Sequence, residues 1–430
     1  MLIKFGLRNF LSFRNSAYLD MEAGSIRELS KSLINTKLGT QDLRLVRNAV
    51  VYGANSAGKS NFFKGFYLLK QLIKHSFDET FFGASLPCYP FLLNETTISQ
   101  PTSFEVSFLI NQIYYRYSVV YDKDKIVSES LFSIYKRKEE MLFLRHEDEF
   151  AFGKHLEIQT KGEIKFLQKL AKPRILFLSV LTKFNVSTAI EISSWFEQTR
   201  VYTDQHIDEN LNLTAELFAD ARYKPFIYEI IKASDLGFST IEQELERRIE
   251  KQKHNSLLLN SLYDDEPDKF KIRTKHIQYN EKQASTKIIY FDIRENESAG
   301  AQKFVSILGP IIKALKDGSI VWIDEIDSRL HTHLVQLLTQ IVNSPKYSFN
   351  NGQVIFSSHD THLFKKLRRD QLILVDKNEY GESSISSIYM SNPSVRADAQ
   401  IDKEYLNQQL GGVPKINPQI LLDFNSSNDE

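Results

Sequence analysis

Residues 1–20 alternate apolar and polar positions, with Leu2, Phe5, Leu7, Phe10 and Phe13 on the apolar beat, which predicts paired strands. Asn48 to Tyr52 (NAVVY) is a short apolar run of the buried-strand kind. It passes directly into GANSAGKS, and residues 61–74 carry aromatic and leucine side chains at helical spacing, so the order there is strand, Gly-rich loop, helix. Between about 101 and 160, the segments SFEVSFLI, IYYRYSVVY, SESLFSIYK and FLRHEDEFAF predict a meander of antiparallel strands. From about 165 to 285 the spacing turns helical, with one stretch at 189–197 and a longer one from Leu211 to Lys253 that runs out through the charged ELERRIEKQKHN. Residues 261–273 read as a polar loop, and strand character returns at KHIQYN and KIIYFDI. From Ser298 onward elements alternate: a helix at about 301–316, the strand SIVWIDE, a helix at about 329–342, the strand QVIFSSHD, a helix at 361–368 and the strand QLILVDK. That alternation predicts a mostly parallel sheet with crossover helices. The α/β fold is therefore read as split. Residues 1–165 carry its first part with the meander, 166–285 form an inserted helical lobe, and 286–430 carry its second part.

A chain of 430 residues, 42% of them hydrophobic, can bury a sizeable core. Lys and Arg number 54 and so do Asp and Glu, so there is no overall charge to argue for a polyanionic partner; any DNA contact needs a local patch. The single cysteine, Cys88, excludes an intrachain disulfide and a cysteine-based zinc site, and fits a reducing cytoplasm. No apolar run approaches the roughly 18 residues that a membrane span needs, and the N-terminal MLIKFGLRNFLSF reads as strand and not as a signal peptide.

The chemistry begins at Gly53-Ala54-Asn55-Ser56-Ala57-Gly58-Lys59-Ser60, which matches G-x-x-x-x-G-K-[ST] at every fixed position, between an apolar strand and a helix. Gly53 and Gly58 let the backbone curl so that its N–H groups face a phosphate, and the helix N-terminus adds its dipole. Lys59 is placed to reach the β- and γ-phosphates and Ser60 to put its hydroxyl on Mg²⁺. Asn55, Ser56, Ala57 and Asn61 complete the candidate nucleotide-binding set. No base-reading motif separates ATP from GTP.

A second apolar strand ends in two carboxylates, Asp324 and Glu325. Asp324 is the candidate metal ligand, and Glu325, one residue on, the candidate catalytic group that orients or deprotonates an attacking water. Asp327 follows; on its own an Asp before a helix reads as the N-cap, while the resemblance to ABC-type heads drawn below implies a place at the dimer seam, and the two are compatible. Upstream, Glu297-Ser298-Ala299-Gly300-Ala301-Gln302-Lys303 precedes a helix. Taken alone Ser298 reads as an N-cap, yet a hydroxyl and open N–H groups at a helix start also make a γ-phosphate clamp, with Ser298 and Gly300 as its candidates. His359 ends a further strand; alone it reads as a surface residue, and in this order of motifs as a γ-phosphate sensor.

The ordered set resembles the ABC/SMC/RecF ATPase superfamily, whose signature is Leu-Ser-Gly-Gly-Gln. This chain keeps the Ser and one Gly, has Glu and Ala where the pattern has Leu and the first Gly, and brings its Gln one residue late. More narrowly it resembles the type-15 AAA family of bacterial ABC-like ATPases. The marks are IKFGLRNFLSFRN, GANSAGKSN, CYPFLL, YYRYSVV with ESLF, ESAGAQKF, WIDEID, FSSHD and the tail VRADAQIDKEYLNQQLGGVPKI. The resemblance implies an α/β fold, an ABC-type P-loop ATPase head with an antiparallel β meander and an inserted helical lobe. It implies Mg²⁺-dependent ATP hydrolysis with ATP and Mg²⁺ as cofactors, in a homodimer or higher homo-oligomer of cytoplasmic heads that sandwich ATP. Members often serve phage defence or abortive infection beside a separate effector, a nuclease or toxin, encoded nearby. A nucleic acid or a phage protein is a further partner that such a sensor admits. A DNA repair or recombination ATPase of the RecF type uses the same motifs, and a transporter ATPase fits the meander and lobe poorly. The helical segment has no sustained heptad repeat, which argues against a long coiled coil. The residues after His359 are too few for the Toprim nuclease of the related OLD enzymes. The glutamine loop is not placed, and Arg396 and Asp398 read as a peripheral ion pair.

Overall fold

The computed structural model describes residues 1–26, 28–78, 80–135, 138–158, 160–203, 206–245, 270–347, 350–391 and 400–414. The chain opens with β1 (Leu2–Arg8), β2 (Ala17–Asp20), β3 (Leu33–Leu38), β4 (Gln41–Val46) and β5 (Asn48–Tyr52), followed by α1 (Lys59–His75). Next come β6 (Thr102–Ile110), β7 (Ile113–Tyr121), β8 (Ile126–Tyr135), β9 (Lys138–His146) and β10 (Glu149–Phe152). The middle of the chain forms α2 (Lys161–Leu170), α3 (Phe177–Lys183), α4 (Ser187–Gln198), β11 (Arg200–Tyr202), α5 (Ile207–Ala219) and α6 (Lys224–Ala233). Then follow β12 (Ile241–Leu245), β13 (Phe270–Tyr279), β14 (Ser285–Asp292), α7 (Ile293–Asn296), α8 (Ala299–Asp317), β15 (Ile320–Ile323) and α9 (Thr332–Asn343). The last elements are β16 (Gln353–Ser357), β17 (Leu372–Lys377), β18 (Ser383–Ser387), α10 (Ile388–Ser391) and α11 (Ile401–Leu406). They fall into two compact units. One holds residues 2–29, 35–197 and the chain from 357 onward, and with it the phosphate loop; the other holds mainly 198–356, and with it the signature serine and the acid pair.

In the phosphate-loop unit the expected meander is a seven-stranded antiparallel sheet in the order β10-β9-β8-β7-β6-β1-β2. Strand β7 shows why it forms: Tyr115, Tyr117, Val119 and Tyr121 are buried and the residues between them are less so, the period of two that a one-sided sheet needs. Strand β5 is buried at all five positions, pairs in parallel with β17, and β17 pairs antiparallel with β18. Helix α1 lays Phe62, Phe66, Leu69 and Ile73 along one buried stripe. Phe5 of β1 meets the rings of Phe62 and Phe66 edge-on at 5.2 and 5.1 Å, and Phe13 meets Phe62 at 5.6 Å. These perpendicular contacts suit the ring quadrupoles and leave the helix no freedom to roll.

A buried carboxylate ties the meander to α3. Glu129 of β8 accepts the Tyr117 hydroxyl at 2.9 Å and the N–H groups of Phe177 and Leu178 at 2.6 and 2.9 Å. Burial pushes its carboxyl above the usual carboxylate range, against the opposing pull of Arg145 and those N–H groups. Arg145 in turn donates to the carbonyls of Ile175, Ala171 and Lys172 at 2.6, 3.1 and 3.1 Å, so the turn before α3 has its acceptors satisfied by one guanidinium.

In the signature unit β15 lies in parallel between β11 and β16, while β12, β13 and β14 form a separate antiparallel sheet. Helix α8 contains Pro310, which cannot donate to the helix ladder. At the adjoining rung Thr214 of α5 inserts its hydroxyl into that ladder, accepting the Gly309 N–H at 3.1 Å and lying 2.9 Å from the Val305 carbonyl.

Several expectations shift. The helix read from Leu211 to Lys253 breaks after Ala219, resumes as α6 and ends at Ala233; after Gly237 the chain becomes strand β12, because Ile241–Leu245 finds a ladder partner in β13. The rest of that stretch, 246–253, lies outside the described residues, as do Arg396 and Asp398. The helix read at 361–368 is a 3₁₀ turn at Thr361–Lys366, and the helix read from 329 begins at Thr332. Strands β3, β4 and β11 are too short or too polar to have announced themselves. Among the described residues no helix is long and apolar enough to cross a membrane.

Because Phe62 is fully buried among Phe5 and Phe13, Phe62→Ala is expected to cost about 3–5 kcal/mol in urea denaturation. A loss below about 1 kcal/mol would show that this cluster does not anchor α1.

Candidate functional site

The phosphate loop leaves β5 at Tyr52 and enters α1 at Lys59. Its curl uses left-handed backbone at Ser56 (φ 64°) and Gly58 (φ 120°). A Cβ on Gly58 would lie 2.5 Å from the Ser383 hydroxyl and 2.8 Å from that of Ser12, so both the angle and the space call for glycine. Those hydroxyls belong to the structure behind the loop. Ser383 donates to the Ala57 carbonyl at 2.5 Å, its N–H donates to the Ser12 carbonyl at 2.7 Å, and Asn61 donates to the Ser12 hydroxyl at 2.9 Å. Lys377, at the end of β17, donates to the Ser56 carbonyl at 3.1 Å. A trans peptide carries its N–H opposite its carbonyl. Holding the Ala57 carbonyl therefore turns the Gly58 N–H away from Ser383, in the polarity an anion needs.

The start of α1 has no side-chain cap and no acidic residue in its first turn. A helix of 17 residues thus keeps the positive end of its dipole for an outside anion. The Lys59 side chain is almost wholly buried and its ammonium donates to the carbonyls of Gly53 and Ala54 at 2.8 and 3.2 Å. Ser60 and Asn61 are half-buried.

His359 stands just past the end of β16 and is exposed. Its neighbours fasten it to β5 on both sides: the Ser358 N–H donates to the Val51 carbonyl at 3.1 Å and the Tyr52 hydroxyl to the Asp360 carbonyl at 3.0 Å. The phosphate-loop unit therefore brings Gly53–Asn61 and His359 to the same end of β5.

The signature unit gathers the other candidates. Ser298 is exposed and caps α8, its hydroxyl accepting the Ala301 N–H at 3.2 Å. A hydroxyl that accepts one bond keeps its own proton for another acceptor, so the cap and a phosphate contact are compatible. A Cβ on Gly300 would lie 2.7 Å from the Arg329 carbonyl, which makes glycine the residue that lets this helix start approach the turn after the acid pair. The late Gln302 turns inward: its amide donates to the carbonyls of Arg294 and Glu297 at 3.1 and 3.0 Å.

Asp324 continues the β11–β15 ladder, its N–H donating to the Tyr202 carbonyl at 2.9 Å. Glu325 is exposed and sits in left-handed backbone at φ 50°. Such a conformation costs a non-glycine residue on the order of 1 kcal/mol or more and is common where a side chain is aimed for use. Two turns follow, Ser328 N–H to the Glu325 carbonyl and Leu330 N–H to the Asp327 carbonyl, both at 3.1 Å. The N-cap of α9 is His331, whose Nδ1 accepts the His333 N–H at 3.2 Å, so the capping alternative for Asp327 gives way.

Sequence reasoning did not single out Ser12, Lys377 or Ser383. They lie far from the loop in sequence and belong to no spaced pattern; only the strand order β5, β17, β18 carries two of them to it.

A buried parallel strand, a glycine-bounded anion loop and an uncapped helix, joined to an antiparallel sheet, define a mixed α/β P-loop nucleotide-binding protein. The family model described as "AAA domain, putative AbiEii toxin, Type IV TA system" matches residues 49–365, and the chain belongs to that family of P-loop ATPases. No curated protein matches the chain. Among solved structures, the SMC head domain from Thermotoga maritima is similar at 15% identity, covering 90% of this chain and 98% of that one with a TM-score of 0.42.

Gly58→Ala is expected to weaken binding of a fluorescent ATP analogue about tenfold or more. Undiminished affinity would show that the loop tolerates a side chain against Ser383 and Ser12.

Proposed function

We propose that two copies of this ATPase close head to tail around ATP. We further propose that this dimer is the sensor of an abortive-infection system that controls a separate toxic effector. The observation that carries the reading is a pair of unlike anion sites in one chain. One is the uncapped α1 behind the phosphate loop, and the other is the exposed Ser298 at the start of the long helix α8. A phosphate loop binds nucleotide by itself; the second site has a use when it meets the γ-phosphate held by another copy.

In this reading Lys59 neutralises the β- and γ-phosphates, with the N–H groups of Asn55, Ser56, Ala57 and Gly58 around them. Ser60 and Asp324 are the candidate oxygens for Mg²⁺, which would spread the charge that develops on the phosphate oxygens. Among the described residues no three His, Cys, Asp or Glu side chains form a metal cluster of their own. Two protein oxygens suit Mg²⁺, which commonly completes its shell with phosphate and water. Glu325 orients the attacking water and takes its proton. His359 reads the γ-phosphate. Ser298 donates its proton to the γ-phosphate of the partner copy while keeping its bond from Ala301, and Asp327 lies at the seam. The defence assignment is supported by the family description, which names an AbiEii toxin of type IV systems. The effector, a nuclease or toxin, is a separate protein in this reading.

Lys59→Ala is expected to lower ATP affinity about tenfold or more, the loss of a charge-assisted contact, in equilibrium binding. Glu325→Gln is expected to bind ATP normally, to hydrolyse it at least about 100-fold more slowly and to accumulate as a dimer in size-exclusion chromatography with ATP. Full-rate turnover by this variant removes Glu325 from the chemistry. Tagged Glu325→Gln captured with ATP from its native host should bring down a stoichiometric protein encoded nearby. Nuclease-sensitive DNA without such a protein would favour a repair ATPase instead.

A further inference from the structure

The residue before the clamp serine is Glu297, where the ABC-type signature has leucine. Its carboxylate is largely buried and is claimed by the neighbouring sheet. The Thr274 hydroxyl donates to its Oε1 in a short contact, and His276 Nε2 lies 2.7 Å from the same oxygen. Both donors stand on β13, and they touch each other at 3.1 Å. Thr274 is fully buried, and the His276 ring is wedged between Phe291 and Phe238, with centroids 4.5 and 6.0 Å away.

The backbone at the same point is held from the other side. The Glu297 carbonyl accepts from Gln302, which also takes the Arg294 carbonyl. The Arg294 guanidinium is fixed on Asp208 at 2.8 Å and Asn212 at 3.1 Å, both on α5. Helix α8 does not need any of this to exist: it buries a long apolar face and has its cap in Ser298. What the collar adds is direction. It fixes the link between α7 and α8, and so where the exposed hydroxyl of Ser298 points.

We propose that Glu297, with His276 and Thr274, is a positioning residue for ATP hydrolysis: it aligns Ser298 on the γ-phosphate of the partner copy. This rests on the reading of Ser298 as a clamp in trans. A leucine could not be gripped by two donors, whereas the Glu297 carboxylate routes the alignment through the β12–β14 sheet.

The test measures kcat, KM and affinity for a fluorescent ATP analogue in Glu297→Ala, His276→Ala, their double variant, His276→Gln and Ser298→Ala, with thermal unfolding of each. A misaligned clamp should lower kcat about tenfold or more and leave analogue affinity within about twofold, because Lys59 and its loop bind nucleotide without the clamp. The Glu297 and His276 losses should not multiply in the double variant, since they break one unit. His276→Gln keeps an N–H donor and should recover most of the rate. Equal rates for Glu297→Ala and the parent, while Ser298→Ala is slow, overturn the positioning role alone. Multiplying losses also overturn it, as does a folded His276→Gln as slow as His276→Ala. A parental rate in Ser298→Ala instead overturns the clamp reading on which the proposal stands.

Discussion

The phosphate loop can face an anion only while the helix behind it is prevented from tilting or rolling, and here that constraint is met by aromatic rings. Phe62 and Phe66 of α1 are locked against Phe5 of β1, and Phe10 and Phe104 extend the cluster at 5.4 Å. The antiparallel sheet is therefore not an accessory to the loop but the anvil on which α1 rests. The other restraint comes from β17 and β18, whose Lys377 and Ser383 hold loop carbonyls from behind. A site that must present several N–H groups within fractions of an ångström is built on rigid elements and backed by hydrogen bonds, and both are present.

The signature side is organised by hydrogen bonds where the loop side is organised by packing. Ser298 caps α8, Gln302 returns to the carbonyls of Arg294 and Glu297, and Glu297 is tied to β13. Glu297 and Gln302, on either side of Ser298, are therefore both held by hydrogen bonds within the unit. Gln302 is used inside the unit, and Glu297 offers a carboxylate that the sheet can grip.

Two of the left-handed backbone positions fall within the candidate chemistry. Ser56 in the phosphate loop and Glu325 in the acid pair both adopt left-handed backbone, and neither is glycine. At Glu325 this bend ends β15 abruptly and leaves the side chain exposed while Ile326 returns to the core. The backbone thus separates a carboxylate aimed outward from an apolar neighbour aimed inward within two residues.

Local pattern determined a good deal. Alternation in IYYRYSVVY and its neighbours specified the meander, because a sheet with one buried face writes its period directly into the chain. The phosphate loop was legible for the same reason: its glycines, lysine and serine act within eight consecutive residues. Tertiary structure decided what depends on pairing at a distance. Ile241–Leu245, read as helix, became strand when β13 supplied its hydrogen bonds, and the cap of α9 fell to His331 and not to Asp327. Ser12, Lys377 and Ser383 behind the loop, and Thr274 and His276 beside the signature, carry no local signal at all. A hydroxyl or an imidazole acquires such a role only when folding removes water and leaves one partner within reach, and no spacing along the chain records which partner that will be.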